Sequence, residues 1–331
     1  MKRVVIGICL ILAIVAAANL FPGRAQETGP VQQQPSSNSV LVNPLQVALL
    51  KWYRANTTTR FAVGQQPVGV AFDGANIWTA NFGDFPGTVT KLRASDGEAL
   101  GTFKVGTEPG GVTYDGANIW VSNTADGTVS KLRASDGKNL GTFSVGPAPW
   151  WMAFDGANIW VTTAPTSGNG SVTKLRARDG KILGTFTVGS GPIAAAFDGV
   201  NVWVTNGGGT VSKLRASDGK VLGTFAVGSR PTGIAFDGAN MWVANRGDGT
   251  VSQLRASDGK TLGTFTVPVL PYGVAFDGAN IWVTTGEGVT ELRLSDGITL
   301  GHLNGSGSVG VAFDGANVWV ADFNDNVVGK L

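Results

Sequence analysis

The chain has 331 residues, of which 43% are hydrophobic and 15% are charged, and its formal net charge is +2. Basic and acidic residues are almost equal in number, so the chain lacks the excess of Lys and Arg typical of nucleic-acid-binding proteins, and we expect no nucleic-acid partner. A single histidine leaves little material for histidine-based metal or acid–base chemistry.

Residues 1–25 are typical of a secretory signal peptide. Lys2 and Arg3 precede an apolar run, Val4 to Ala18, that is shorter than the roughly 20 residues of a spanning helix. We therefore expect cleavage after Ala18 or Ala25, a secreted or periplasmic protein, and no membrane span after cleavage. The alternative is that the segment is kept as a membrane anchor. Cleavage also removes Cys9, the only cysteine, which excludes disulfides, thiolate metal sites and a cysteine nucleophile.

Residues 26–59 are predicted to be a flexible spacer and the start of a closing segment. The stretch from Gln26 to about Asn43 is rich in Gln, Pro and Ser and poor in large apolar residues.

Residues 60–331 repeat one pattern seven times. Each copy contains Phe-Asp-Gly-Ala-Asn-Ile-Trp or a close variant, at intervals of 37 to 43 residues. The copies begin at Phe72, Tyr114, Phe154, Phe197, Phe236, Phe276 and Phe313. This period, with frequent glycine and abundant Val, Ile, Thr, Phe and Trp, predicts an all-β, seven-bladed β-propeller of four-stranded blades.

The copy after Pro231 shows the expected blade. Its strands are predicted at 232–236, 240–245, 250–256 and 262–267, with Asp237-Gly238 forming a type I′ hairpin turn between the first two. The second strand is apolar on both faces, so its tryptophan and the six equivalent ones are expected to pack between blades. Lys213 and Arg215, a typical third-strand pair, are expected at the rim with their charged ends in water.

The last copy ends at Leu331 without a fourth strand. Near the other end of the chain, Arg60 to Gly64 (Arg-Phe-Ala-Val-Gly) echoes the fourth-strand pattern Thr-Phe-x-Val-Gly. We therefore expect an N-terminal strand to complete the last blade and close the ring.

The repeat resembles the YVTN-type β-propeller repeat. The resemblance covers about residues 60 to 331, and Trp242 to Asn245 (Trp-Val-Ala-Asn) stands where that family has its namesake tetrapeptide. Related propellers are surface-layer, cell-envelope and ligand-binding proteins, so the resemblance implies a fold rather than one activity. The similar streptogramin B lyase propellers would imply a catalytic histidine and a divalent metal on one face.

The lone His302 does not fit that enzymatic pattern. It replaces the threonine of Leu-Gly-Thr-Phe, which places it in an outer fourth strand, so we predict no catalytic residue. Asp84, Asp126, Asp248 and Asp325 lie one per loop in different blades, without the alternating oxygen ligands of a calcium loop, so we predict no metal and no cofactor.

The copies diverge in two sets of connections that belong to one face of the ring. These are the loops between second and third strands and the links from a fourth strand to the next blade, whereas the Asp-Gly turns hardly change. A rigid ring that presents variable loops around a central mouth is a common setting for a binding site. The candidate ligand-binding residues are Trp150, Trp151, Tyr272, Phe82, Phe85, Arg230 and Arg246. The alternative is that these side chains plug the channel or pack on neighbouring loops.

Three functions remain open at this point. We favour a non-catalytic binding platform of the cell envelope, with an envelope protein, peptide or glycan as partner. The alternatives are a lyase- or hydrolase-like enzyme that uses acids such as Glu108, Glu287 and Asp322 with a bound cation, and a structural surface-layer or envelope protein.

Overall fold

A computed structural model describes residues 59–331, which form 28 strands in seven antiparallel sheets of four strands each. This confirms the predicted all-β, seven-bladed propeller. The expected signal peptide and nearly all of the expected spacer lie outside the described residues. Between Thr59 and Leu331, no helix is long and apolar enough to cross a membrane.

Six blades are formed by four consecutive strands. Blade 1 contains β2 (Pro67–Phe72), β3 (Asn76–Asn81), β4 (Thr88–Arg93) and β5 (Ala99–Lys104). Blade 2 contains β6 (Pro109–Tyr114), β7 (Asn118–Asn123), β8 (Thr128–Arg133) and β9 (Asn139–Ser144). Blade 3 contains β10 (Pro149–Phe154), β11 (Asn158–Thr163), β12 (Asn169–Arg176) and β13 (Ile182–Ser190). Blade 4 contains β14 (Pro192–Phe197), β15 (Asn201–Asn206), β16 (Thr210–Arg215) and β17 (Val221–Ala226). Blade 5 contains β18 (Pro231–Phe236), β19 (Asn240–Asn245), β20 (Thr250–Arg255) and β21 (Thr261–Thr266). Blade 6 contains β22 (Val274–Phe276), β23 (Asn280–Thr285), β24 (Gly288–Arg293) and β25 (Thr299–Asn304).

Blade 7 joins the two ends of the ring. It contains β26 (Ser308–Phe313), β27 (Val318–Asp322), β28 (Val327–Lys330) and β1 (Arg60–Ala62), which pairs with β28 in the register Phe61↔Val328. The Phe61 ring packs against Trp319 with centroids 5.6 Å apart, as Phe103 packs against Trp78 in blade 1. The predicted closure by an N-terminal strand is confirmed.

The strand limits predicted for blade 5 are correct within one residue, but the predicted turn type is wrong. Asp237 and Asn240 form the closing backbone pair, so the two central residues are Gly238 and Ala239. Only Gly238 has a positive φ, of 99°, whereas a type I′ turn needs two such residues. Asp237 is displaced from the centre because its carboxylate accepts bonds from the amides of Ala239 and Asn240.

The same aspartate holds the tryptophan of the second strand. In all seven blades the second carboxylate oxygen accepts a hydrogen bond from the indole Nε1, at 2.7 to 2.8 Å. These pairs are Asp73–Trp78, Asp115–Trp120, Asp155–Trp160, Asp198–Trp203, Asp237–Trp242, Asp277–Trp282 and Asp314–Trp319. One carboxylate therefore organises the turn and orients the largest side chain of the blade.

The tryptophans lie between blades, as predicted. Six of them are completely buried, and each packs against the second and third strands of the following blade. Trp203 of blade 4, for example, lies in one apolar cluster with Met241, Val243 and Leu254 of blade 5. Trp282, between blades 6 and 7, is only partly buried and belongs to a smaller cluster.

The prediction for the third-strand lysines is wrong. Lys213 is only 7% exposed, and its Nζ lies 4.9 Å from the ring centroid of Trp203. Nζ also donates to the carbonyl oxygens of Ala256 and Ser257 in the next blade. Equivalent bonds are made by Lys91, Lys131, Lys174 and Lys330. Arg215 does lie at the rim, where it pairs with Asp218.

Removal of one lysine tests the contribution of this interblade bond. Lys213→Met keeps the aliphatic bulk but leaves the Ala256 carbonyl without its partner, so we expect the free energy of unfolding to fall by about 1–3 kcal/mol. Chemical denaturation measures this change. The matched control is Lys220→Met, on an exposed turn residue. Equal stability of the two variants would contradict the assignment.

Acid should weaken the Asp–Trp pairs. Burial raises the pKa of Asp198, but hydrogen bonds from Trp203 and from the amides of Asn201 and Val200 outweigh burial and hold that pKa below its ordinary value. When folding lowers the pKa of a carboxyl group, its carboxylate stabilises the fold at any pH above the pKa of the unfolded chain, about 3.9. This stabilisation is lost as the pH falls through the pKa of the folded protein.

We therefore expect Asp198→Asn to be less stable than the wild type at pH 6 to 7 and the difference to narrow below about pH 4. Thermal unfolding across this pH range measures it. Glu108→Gln, which removes an exposed carboxylate, serves as the control. A difference that stays constant down to the lowest pH would show that Asp198 does not contribute through its charge.

Candidate functional site

The variable connections surround one end of the central channel. First strands of neighbouring blades contact one another and form the channel wall, and the loops after the second strands lie at the same end as the interblade links. A cavity of about 380 Å³, here called the mouth pocket, opens at this end. It is lined by Val68, Phe82, Trp150, Arg246, Leu270, Tyr272, Gly286, Gly307, Ser308, Val309, Phe323 and Asn324. Five of the seven blades contribute residues to it.

A backbone irregularity at the start of the first strand positions the central residues of the pocket. In blade 3 the pairing of β10 with β11 shifts register between Pro149 and Met152, so Trp150 and Trp151 lie outside the regular ladder. The same shift occurs in five other blades, and in blade 6 the ladder begins only at Val274. Bulges of this kind redirect side chains at sheet margins.

Comparison of the copies shows what is unusual about blade 3. In each copy two residues lie immediately before the regular ladder, as Trp150 and Trp151 do in blade 3. The second of them is glycine in five copies and Ala194 in blade 4, but it is Trp151 in blade 3. The preceding residue varies freely, and tryptophan and tyrosine occupy it only in blades 3 and 6, as Trp150 and Tyr272.

The aromatic side chains form a continuous series across the mouth. The Phe82 and Trp150 rings are stacked with centroids 5.9 Å apart and planes inclined by 29°. Trp150 lies 5.7 Å from Trp151, and Trp151 lies 5.9 Å from Tyr272. The Arg246 guanidinium covers the far side of the series, 5.7 Å from the Tyr272 centroid. The series connects blade 1 to blade 6 through blade 3.

Trp150 and Trp151 have different positions in depth. Trp151 and Tyr272 line a small cavity of about 50 Å³ inside the channel, together with residues of β14, β18 and β26. Trp150 instead lines the mouth pocket. Trp151 therefore lies deeper in the channel than Trp150 and does not line the mouth pocket.

Neighbouring blades hold the backbone of these residues. The Trp150 carbonyl accepts a hydrogen bond from the Ser122 hydroxyl of blade 2, and the Tyr272 carbonyl accepts from the Gly233 amide of blade 5 at 2.7 Å. Gly110 of blade 2 lies directly beneath the Trp150 ring, where a Cβ atom would come within 2.7 Å of Cε3. The pocket geometry is thus set by contacts between blades.

Each interblade link contains a residue with a left-handed backbone just before the first strand. Five of the seven are not glycine: Gln66, Glu108, Ala148, Arg230 and Leu270. Leu270, at φ 58°, is the most notable because a bulky side chain disfavours this conformation. Its side chain lines the mouth pocket and is 45% exposed.

The aspartates of this face have hydrogen-bond or ion-pair partners, whereas Arg246 has no ion-pair partner among the described residues. Asp84, Asp126 and Asp248 each accept a hydrogen bond from the backbone amide of an interblade link, and Asp325 pairs with Arg60. Burial raises the pKa of Tyr272, and the nearby Arg246 partly opposes this change. Arg246 itself has no ion pair with any residue between Thr59 and Leu331.

The structure brings five of the seven candidate residues together: Phe82, Trp150, Trp151, Tyr272 and Arg246. Phe85 and Arg230 lie on the same face but do not line the mouth pocket, and Phe85 is 89% exposed. Sequence reasoning missed Val68, Leu270, Val309 and Phe323 as pocket residues. Two of these, Leu270 and Phe323, stand in connections that the divergence between copies had already marked.

The residues considered for an enzyme are dispersed. His302 lies in the outermost strand of blade 6, where its Nδ1 is 2.9 Å from the Thr290 hydroxyl. Asp322 forms an ion pair with Arg60, and neither Glu108 nor Glu287 lines the mouth pocket. Within residues 59–331, no group of three or more His, Cys, Asp or Glu side chains is arranged to hold a metal ion.

Comparison with known proteins supports a β-propeller repeat and the propeller fold, and does not confirm the YVTN assignment. Residues 168–304, from β12 to the end of β25, match the family model described as outer membrane protein assembly factor BamB. Hydrazine synthase from Kuenenia stuttgartiensis has a similar structure, with a TM-score of 0.71 and 18% sequence identity, over 82% of this chain and 96% of that chain. Among curated proteins, none matches this sequence.

Replacing Gly110 by alanine adds one methyl group under the indole ring and tests the packing of Trp150 on Gly110. Gly110→Ala should displace the indole from its stack on Phe82, because the new Cβ would lie 2.7 Å from Cε3 and 2.8 Å from Cζ3. We expect a changed near-ultraviolet circular dichroism spectrum at a stability cost of about 1–3 kcal/mol. Gly301→Ala, where no atom lies within 4 Å of the new Cβ, should leave the spectrum unchanged. Identical spectra for both variants would contradict this packing.

Proposed function

We propose that this chain is a non-catalytic binding protein of the cell envelope that recognises a partner through the mouth pocket. The observation that carries the proposal is the aromatic pocket itself. It is lined by Trp150 and Tyr272, two of the residues that depart from the repeat, and residues from five blades meet there.

The dimensions and lining of the pocket support binding. A volume of about 380 Å³ falls within the range of roughly 300–1,000 Å³ that is usual for small-ligand sites. Trp150 and Tyr272 are rigid and partly exposed, and tryptophan, tyrosine and arginine dominate the binding energy of many interfaces. The interblade bonds hold them in place before any partner arrives, which reduces the entropy cost of association.

The envelope location rests on two independent indications. Residues 1–25 have the pattern of a signal peptide, which we propose is followed by a flexible spacer over residues 26–59. The match of residues 168–304 to an outer membrane protein assembly factor supports the same compartment. We also propose that the repeat is of the YVTN type, on the basis of the motif around Trp242 to Asn245.

Capture of partners from the native envelope fraction tests the proposal. The purified protein is compared with the double variant Trp150→Ala/Tyr272→Ala, and bound molecules are identified and quantified by mass spectrometry. We expect at least one partner whose recovery falls about tenfold or more in the double variant, because two central aromatic contacts are lost.

The matched control is Phe85→Ala/Arg230→Gln, which alters the same face outside the pocket. Recovery with this control should equal that of the wild type. Melting temperatures establish that all three proteins are folded. Equal recovery by the wild type and the pocket variant would refute the proposed site.

A further inference from the structure

The charge distribution of the mouth pocket restricts its ligand. Arg246 is the only charged side chain among the described residues that line the pocket, and no carboxylate lines it. An anionic group therefore meets no carboxylate among the lining residues, whereas a cationic group would meet Arg246. Asp84 and Asp248, on the same face, already accept hydrogen bonds from the amides of interblade links.

Arg246 differs from the arginines at the ends of the third strands. Arg93, Arg133, Arg176, Arg215, Arg255 and Arg293 each pair with an aspartate three residues later. The Arg246 guanidinium instead rests over the Tyr272 ring, and no carboxylate between Thr59 and Leu331 pairs with it. A planar guanidinium held by one face keeps the N–H groups in its plane free for a bidentate acceptor.

The rest of the pocket is mainly apolar. Its aromatic and aliphatic side chains are Val68, Phe82, Trp150, Leu270, Tyr272, Val309 and Phe323. Ser308 and Asn324 are the only neutral side chains among the described lining residues with a hydrogen-bonding amide or aliphatic hydroxyl group. An apolar or aromatic ligand body matches this lining more closely than a sugar ring with hydroxyl groups in several directions, which would have few neutral side-chain partners here.

We infer that the mouth pocket binds an apolar, preferentially aromatic group that carries a single carboxylate, with the apolar body against Trp150 and Tyr272 and the carboxylate on Arg246. This inference rests on the proposed function. Two kinds of ligand carry both an aromatic group and one carboxylate: the carboxy-terminal residue of a peptide and a free aromatic acid.

Four small probes test the inference. They are N-acetyl-L-phenylalanine, its neutral primary amide, N-acetylglycine and 3-phenylpropanoate, and their dissociation constants are measured by titration calorimetry or ligand-observed NMR. N-acetyl-L-phenylalanine should bind at least about tenfold more tightly than the amide and N-acetylglycine, because each lacks one of the two recognised groups. Tighter binding of N-acetyl-L-phenylalanine than of 3-phenylpropanoate identifies a peptide terminus, and the reverse order identifies a free acid.

Variants assign the contacts. Arg246→Gln should abolish the preference for acid over amide, and Arg246→Lys should retain only part of it, because lysine lacks the planar fork. Arg230→Gln, on the same face but outside the pocket, should retain the full preference. Trp150→Ala should weaken the acid and the amide alike.

The outcomes separate this inference from the proposed function. Equal affinity for acid and amide, or a preference that persists in Arg246→Gln, would overturn the carboxylate assignment. Absence of probe binding, together with an envelope partner that is lost in Trp150→Ala/Tyr272→Ala, would overturn the inference and leave the proposed function intact. Absence of both probe binding and a pocket-dependent partner would overturn both.

Discussion

The contact between adjacent blades is the interaction on which the whole ring depends. Each sheet is apolar on both faces, so no blade can be stable in water without a neighbour on each side. The second-strand tryptophan packs between two blades, and the Asp-Gly turn fixes its orientation through the indole Nε1. At five interfaces a lysine, buried at four of them and partly buried at the fifth, bonds to the turn of the next blade, so apolar packing and polar bonding act at the same place.

This arrangement explains why one face of the ring is uniform and the other diverges. The turns that contain the aspartate and the lysine acceptors carry the interblade contacts, so a substitution there disturbs a blade interface. The connections at the mouth carry fewer contacts between blades, so most of their side chains can differ, although Asp84, Asp126 and Asp248 bond to the amides of interblade links. The exceptions are the backbone contacts of the first strands, where glycines such as Gly69 and Gly310 permit neighbouring chains to approach closely.

The mouth pocket is formed where blades 3 and 6 depart from the repeated sequence. Blade 3 contributes Trp150 to the pocket and Trp151 to the channel, and blade 6 has a shortened first strand after Leu270 and Tyr272. These two blades are not neighbours, yet their side chains meet across the channel. The resulting pocket is aromatic, and Arg246 is the only charged side chain among the described residues that line it.

The sequence by itself determined the number of blades, the order of strands within each blade, the closure by residues 60–62 and the burial of the tryptophans. It could do so because seven copies repeat the same local chemistry, and each copy supports the interpretation of the others. The tertiary structure decided that Lys213 is buried, because its carbonyl partners belong to another blade. It also decided that Trp151 lies below Trp150, and that Phe323 joins the pocket while Phe85 does not. Those outcomes depend on distances across the channel between residues far apart in the chain, and a repeat pattern contains no information about such distances.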